Sequence, residues 1–69
     1  MAAHYAEVQW HHKAHPQHPE TFDRDHTVMF ENGQAIAGSS APAYYGNPDA
    51  ANPETLLLAA LASCHMLTF

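Results

Sequence analysis

Positive charge is nearly missing from this chain. Lys13 and Arg24 stand against seven carboxylates, and the net charge at pH 7 is −5. A nucleic-acid surface needs a stripe of lysine and arginine to neutralise phosphates, so no nucleic-acid partner is expected. Anionic membrane surfaces are disfavoured by the same imbalance. Cysteine is reduced to one residue, Cys64, which excludes an internal disulfide and with it the stapled secreted mini-protein; a lone thiol suits a reducing compartment such as the cytoplasm. Long apolar runs are missing too: Leu56 to Phe69 is too short to span a bilayer and contains His65. The opening "MAAHYAEVQW" has neither the charged start nor the apolar centre of a signal peptide. The expectation is a soluble cytoplasmic protein with no membrane partner. Its 69 residues suffice for one small domain, a size that ordinarily needs a disulfide, a metal or a partner chain to complete its core.

What is present reads as strands followed by a helix. Ala6, Val8 and Trp10 alternate with Tyr5, Glu7 and Gln9, the period of a half-buried strand over residues 5–10. "HHKAHPQHPET", His11 to Thr21, has two prolines and no period, and reads as a loop. A second strand covers residues 26–31, with Val28 and Phe30 on one face and Thr27 and Met29 on the other. Asn32-Gly33 then predicts a two-residue type I′ hairpin, with Phe30 opposite Ala35, Met29 opposite Ile36 and a third strand over residues 34–39. Gly38 to Pro53 is dense in turn-formers and reads as an ordered loop contacted through Tyr44 and Tyr45. Asn52 caps a helix over residues 53–69, Pro53 takes its first position, and Glu54 lies at the positive end of its dipole.

That helix, "TLLLAALASCHMLTF" after its first turn, is apolar on nearly every side and should be surrounded by protein. Three short strands are too few to surround it, and no glycine, asparagine or proline closes it. The sequence therefore reads as a piece of a longer domain, or else as a chain whose partner supplies the missing cover.

Within this helix Cys64 has an inert reading and a chemical one. A free cysteine among apolar neighbours is most often a small buried hydrophobe. Chemistry needs the thiolate, and so a nearby cation, metal or helix N-terminus. Cys64 lies nearly three turns in, beyond useful reach of the dipole, so a cation must come from elsewhere.

The block "NPETLLLAALASCHMLTF", preceded by the Asn-Gly hairpin and "FDRDH", resembles the first half of the OsmC/Ohr family of osmotically inducible and organic-hydroperoxide-resistance proteins. The resemblance covers the chain from about Tyr5 onward and is most specific at Asn52-Pro53-Glu54 and at Ser63-Cys64. It implies an α+β fold, in which an N-terminal antiparallel three-stranded sheet is followed by a buried central helix, as half of a domain-swapped homodimer. It also implies a thiol-dependent peroxidase that reduces organic hydroperoxides without a cofactor or metal and is restored by an external dithiol. Cys64 matches the peroxidatic thiol, Glu54 its acidic partner, and Arg24 the arginine placed before the second strand. Family peroxidases use a second cysteine further along as the resolving thiol, and this sequence has none.

The chemistry of these residues agrees with the assignments. Arg24 is the only guanidinium and stays charged at any working pH; a carboxylate such as Glu54 could hold its fork bidentately. Leu57, Leu61, Met66 and Phe69 would favour an alkyl hydroperoxide over hydrogen peroxide. Ten residues of helix, however, separate Glu54 from Cys64 by about 15 Å, so a shared site would take Glu54 from one chain and Cys64 from another. Without the resemblance, Glu54 is a helix-dipole carboxylate and Arg24 a solvated charge paired with Asp23 or Asp25. His11, His12, His15 and His18 read as an exposed, weakly metal-binding loop rather than a dedicated site, and His65 as a buried histidine bonded to a neighbour. The alternatives to an enzyme are a non-catalytic binding or dimerisation module with Cys64 as a core residue, and a metal-binding module built on the histidines.

Overall fold

A computed structural model describes residues 3–68. Three strands, β1 (Ala6–Gln9), β2 (His26–Phe30) and β3 (Ala35–Gly38), form one antiparallel sheet in the order β1-β2-β3. A single-turn 3-10 segment at Pro42–Tyr44 leads to the helix α1, Pro53–Leu67. The chain is thus a small α+β fold, with the elements where the alternation and the capping signals put them. The helix was expected to continue to Phe69, a position outside the described residues. Among those residues no helix is long and apolar enough to cross a membrane.

The β2–β3 register differs by one residue from the expected one. Met29 faces Ala35 and Val28 faces Ile36, because the connection uses three residues, not two. The Gly33 N–H donates to the Phe30 carbonyl at 3.0 Å, and the Phe30 N–H donates to the Gln34 carbonyl at 2.8 Å. A type I′ turn would need positive φ at both Asn32 and Gly33. Here Gly33 alone takes it, at φ 88°, while Asn32 Oδ1 accepts the Gln34 N–H at 3.1 Å. The consequence is chemical. Ile36 moves to the face shared by Val8, Val28 and Phe30, so that face of the sheet is apolar apart from His26 at its end.

The stretch expected to be a loop is closed at its base in hairpin fashion. Ala14 bridges Phe22, the Asp23 N–H donates to the Lys13 carbonyl at 2.9 Å, and the His15 N–H donates to the Thr21 carbonyl at 3.0 Å. The β1–β2 register continues across the gap into this bridge without a slip. Pro16 and Pro19 do not prevent it, because they sit in the tip, where no ladder N–H is needed.

Burial is inverted relative to an ordinary domain. Among the described residues no hydrophobic side chain is buried, and the buried side chains are the polar His15, Asp23 and Ser39. Each is satisfied by backbone. His15 Nδ1 accepts the N–H groups of Gln17 and His18 at 3.0 and 3.1 Å, and its Nε2 donates to the Tyr45 carbonyl at 2.9 Å. This fixes one neutral tautomer and pins the hairpin to the Tyr45 loop. Ser39 Oγ accepts the Asn47 N–H at 3.0 Å. The Ser39 N–H donates to the Ala51 carbonyl at 2.8 Å, and the Ala51 N–H to the Ala37 carbonyl at 3.1 Å. That pair of bonds ties the start of α1 to the end of β3. Asn52 Oδ1 then accepts the Thr55 N–H at 2.9 Å, capping the helix as expected.

Beyond this anchor the helix stands free. None of its residues is buried, and Leu57, Leu58, Leu61, Met66 and Leu67 are all exposed. The cover expected for it is not found among the described residues, whose strands are only four or five residues long. β1 was expected to be half-buried, but its four residues are all exposed for the same reason.

Candidate functional site

Side chains alternate along an extended chain, so Phe22, Arg24 and His26 project together while Asp23 and Asp25 project oppositely. This separates Arg24 from the carboxylates that sequence proximity offered it. Asp23 instead lies 3.4 Å from Lys13 Nζ and accepts the Asp25 N–H at 3.1 Å, and Asp25 accepts from Asn47 Nδ2 at 3.4 Å. The Arg24 guanidinium lies over Phe22, 3.8 Å from the ring centroid, and 5.4 Å from that of Tyr45. Its Nη1 donates to Thr21 Oγ1 at 2.9 Å and to the Phe22 carbonyl. Those contacts use one edge of the fork and leave Nη2 and Nε with donors to spare.

Arg24 forms one wall of a cleft of 370 Å³ on the apolar face of the sheet. Val8, Trp10 and Phe22 line it, Ser39 and Ser40 border it, and Pro53 at the first position of α1 closes one side. Trp10 meets Phe22 edge to face at 5.8 Å, and its Nε1 donates to the Asp23 carbonyl at 2.9 Å, so the indole is held in place as a wall.

The cleft also contains His26. Its Nδ1 donates to the Arg24 carbonyl at 2.8 Å, so in the neutral ring Nε2 carries a lone pair. His26 faces Gly38 across the β2–β3 pair, and a Cβ at that position would lie 2.6 Å from Nε2. Glycine there admits the imidazole, whose Nε2 edge packs against the Gly38 backbone where a side chain would collide with it. Sequence reasoning passed over His26 as one histidine among seven. The signal that could have found it is the Phe22-Arg24-His26 alternation, which puts it on the face of the only guanidinium.

The other two expected site residues lie on α1. Glu54 is exposed in the first turn, next to the cleft-lining Pro53; Cys64 is exposed, about 16 Å further along the axis than Pro53. No hydrogen bond or ion pair joins Arg24, Glu54 and Cys64 within one chain. The histidine loop differs from its expected exposed state at His15, which is buried and fully bonded. Among the described residues no group of three or more His, Cys, Asp or Glu side chains is placed to hold a metal ion. His65, expected to be buried, is exposed.

Asp23 supports this site from behind, since it fixes both the Trp10 wall and the arm that carries Arg24. The Asp25 backbone N–H holds its carboxyl below the ordinary value of 3.8; burial works in the opposite direction, and the Lys13 ammonium adds to the lowering. A carboxyl depressed in the folded state stabilises above its unfolded value and loses that contribution as pH falls through the folded one. The Asp23 contribution, read by circular dichroism as the difference in thermal midpoint between the parent chain and Asp23→Asn, should therefore be constant near neutrality and shrink below about pH 4. Asp23→Asn should lower the midpoint at pH 7 and flatten the acid limb. An unchanged acid limb in that variant would remove Asp23 as its cause.

No protein-family model matches the chain, and no curated protein and no solved structure is significantly similar to it.

Proposed function

We propose that the chain is part of a cytoplasmic, thiol-dependent peroxidase of the OsmC/Ohr kind that reduces organic hydroperoxides through Cys64, its site shared between two copies. The observation that carries this reading is the setting of Arg24. The sole guanidinium is half-buried against an aromatic ring, free of carboxylates, at an apolar cleft bordered by the first residue of the helix that bears Glu54 and Cys64. Pairing two copies would cover the exposed helices and bring Cys64 of one to Arg24 of the other. Glu54 then steadies the guanidinium, which favours the thiolate.

The thiolate attacks the terminal oxygen of the hydroperoxide. The O–O bond breaks, sulfur is oxidised by two electrons to the sulfenic acid, and the alkoxide leaves beside Arg24 and takes a proton from water. An external dithiol then displaces hydroxide from the sulfenic sulfur and closes to its own disulfide, releasing water and the Cys64 thiol. The step needs no cofactor.

The test is single-turnover oxidation of the full chain by cumene hydroperoxide, with the sulfenic acid trapped by dimedone and located by mass spectrometry. Cys64 should react at least about a hundredfold faster in the folded chain than in urea, the scale of one well-placed electrostatic group. Equal rates would favour the second reading, a dimerisation module in which Cys64 only fills an interface. The lack of any buried residue along α1 gives that reading its support.

A further inference from the structure

The peroxidase reading assigns no role to His26, yet this side chain is the most deliberately oriented group in the cleft. Its ring is held by the Arg24 carbonyl and packed on Gly38, and its Nε2 lone pair makes no hydrogen bond among the described residues. An acceptor without a partner beside apolar walls is matched by a ligand that brings a hydrogen-bond donor. Two positions earlier on the same face stands the converse group. Arg24 has unused N–H donors that can serve only an acceptor. Successive same-face positions are about 6.6 Å apart along an extended chain, close enough for the two side chains to grip adjoining atoms of one small group.

We propose that His26 is the residue that orients the substrate, accepting the terminal O–H of an aryl- or alkyl-substituted hydroperoxide at Nε2 while Arg24 donates to the inner oxygen. The proposal rests on the peroxidase reading for the identity of the reaction. The pair matches the –O–O–H group, which has a donor at its end and an acceptor one atom in. Val8, Trp10 and Phe22 receive the organic substituent. Held so, the terminal oxygen presents the far side of the O–O bond to the incoming thiolate. It passes to sulfur with its hydrogen still attached, and the inner oxygen departs as alkoxide at the guanidinium. His26 neither gains nor loses a proton. Hydrogen peroxide has the same polar group but nothing to fill the apolar walls, so the cleft discriminates against it.

Trp10 is the only tryptophan in the chain and lines the cleft, so its fluorescence reports occupancy directly. The binding arm uses full-length Cys64→Ser, which cannot turn over, titrated with 2-phenylpropan-2-ol, an unreactive O–H donor, and with isopropylbenzene, which lacks the donor. The alcohol should saturate the signal and bind about tenfold tighter than the hydrocarbon, the worth of one hydrogen bond at a dry site. His26→Phe keeps the ring and removes the acceptor, and should abolish that preference. His26→Gln, whose carbonyl oxygen can still accept, should restore part of it. Gly38→Ala should weaken alcohol binding by pushing the imidazole out of its place, since the added methyl group would lie 2.6 Å from Nε2. In the reactive protein, His26→Phe should raise KM for cumene hydroperoxide about tenfold with a smaller change in kcat. Failure of the alcohol to bind, or an undiminished preference in His26→Phe, overturns the proposal even if Cys64 proves reactive. An unreactive Cys64 with the preference intact overturns the peroxidase reading and leaves His26 as the donor-selecting residue of a binding cleft.

Discussion

Arg24→Met should slow oxidation of Cys64 by cumene hydroperoxide about 10²-fold, the usual cost of removing one preorganised group from developing negative charge. Methionine is chosen because it preserves the unbranched apolar stem that packs on Phe22, so that the charge is lost with the least disturbance of packing. Arg24→Lys separates two contributions. It retains the positive charge but loses the planar fork that holds Thr21 Oγ1 and the Phe22 carbonyl while presenting its other edge to the cleft. An intermediate rate is therefore expected. The measurement is the second-order rate constant of sulfenic acid formation in single turnover, with circular dichroism confirming that each variant is folded. Equal rates in the parent chain and in Arg24→Met, both folded, would detach the guanidinium from the chemistry and leave Cys64 as an unassisted thiol.

The second large effect concerns the helix. Leu57, Leu61 and Cys64 are spaced for one face of α1, and the two leucines are 62% and 59% exposed. Burying a leucine contributes about 1.5–3 kcal/mol. Leu57→Asp with Leu61→Asp should therefore weaken self-association by roughly 10²–10⁴-fold, allowing for the part of the burial energy lost to ordering at an interface. Sedimentation across a concentration series reads this directly, and the same double variant should lose rapid Cys64 oxidation. If the parent chain stays monomeric at every concentration, or if the variant associates as tightly, the shared site is wrong. A further consequence is that helix content should rise with concentration in the parent chain, because an isolated helix of this length is marginal in water.

These expectations rest on features of very different legibility. The start of α1 is readable because everything that makes it is local: Asn52 accepts a bond from Thr55, three residues on, and Pro53 sits where no N–H is required. The strands are readable because alternation is local too. The hairpin register differs by one residue because Asn-Gly is compatible with two turns, a two-residue one with positive φ at both Asn32 and Gly33 and a three-residue one with positive φ at Gly33 alone. The closure of the histidine-rich loop is not legible because its prolines are the visible signal, whereas the Lys13–Asp23 and His15–Thr21 backbone bonds that close it leave no mark in composition. Arg24 was identified as a candidate from its charge and its resemblance to a motif. Its freedom from Asp23 and Asp25 follows from side-chain alternation, which begins earlier in the chain than the expected strand.

The order of elements, the capped entry to the helix, the scarcity of cations and the single thiol were settled by the amino acids alone, since each depends on a residue and its neighbours within about one turn. The tertiary structure decided which distant groups meet: His15 with the Tyr45 carbonyl, Ser39 with Ala51, and Arg24 with His26 and Pro53 around one cleft. It also decided that the apolar helix finds no cover among the described residues. Those outcomes hang on backbone hydrogen bonds between residues a dozen or more apart and on how far each strand extends, and neither quantity is carried by any single stretch of sequence.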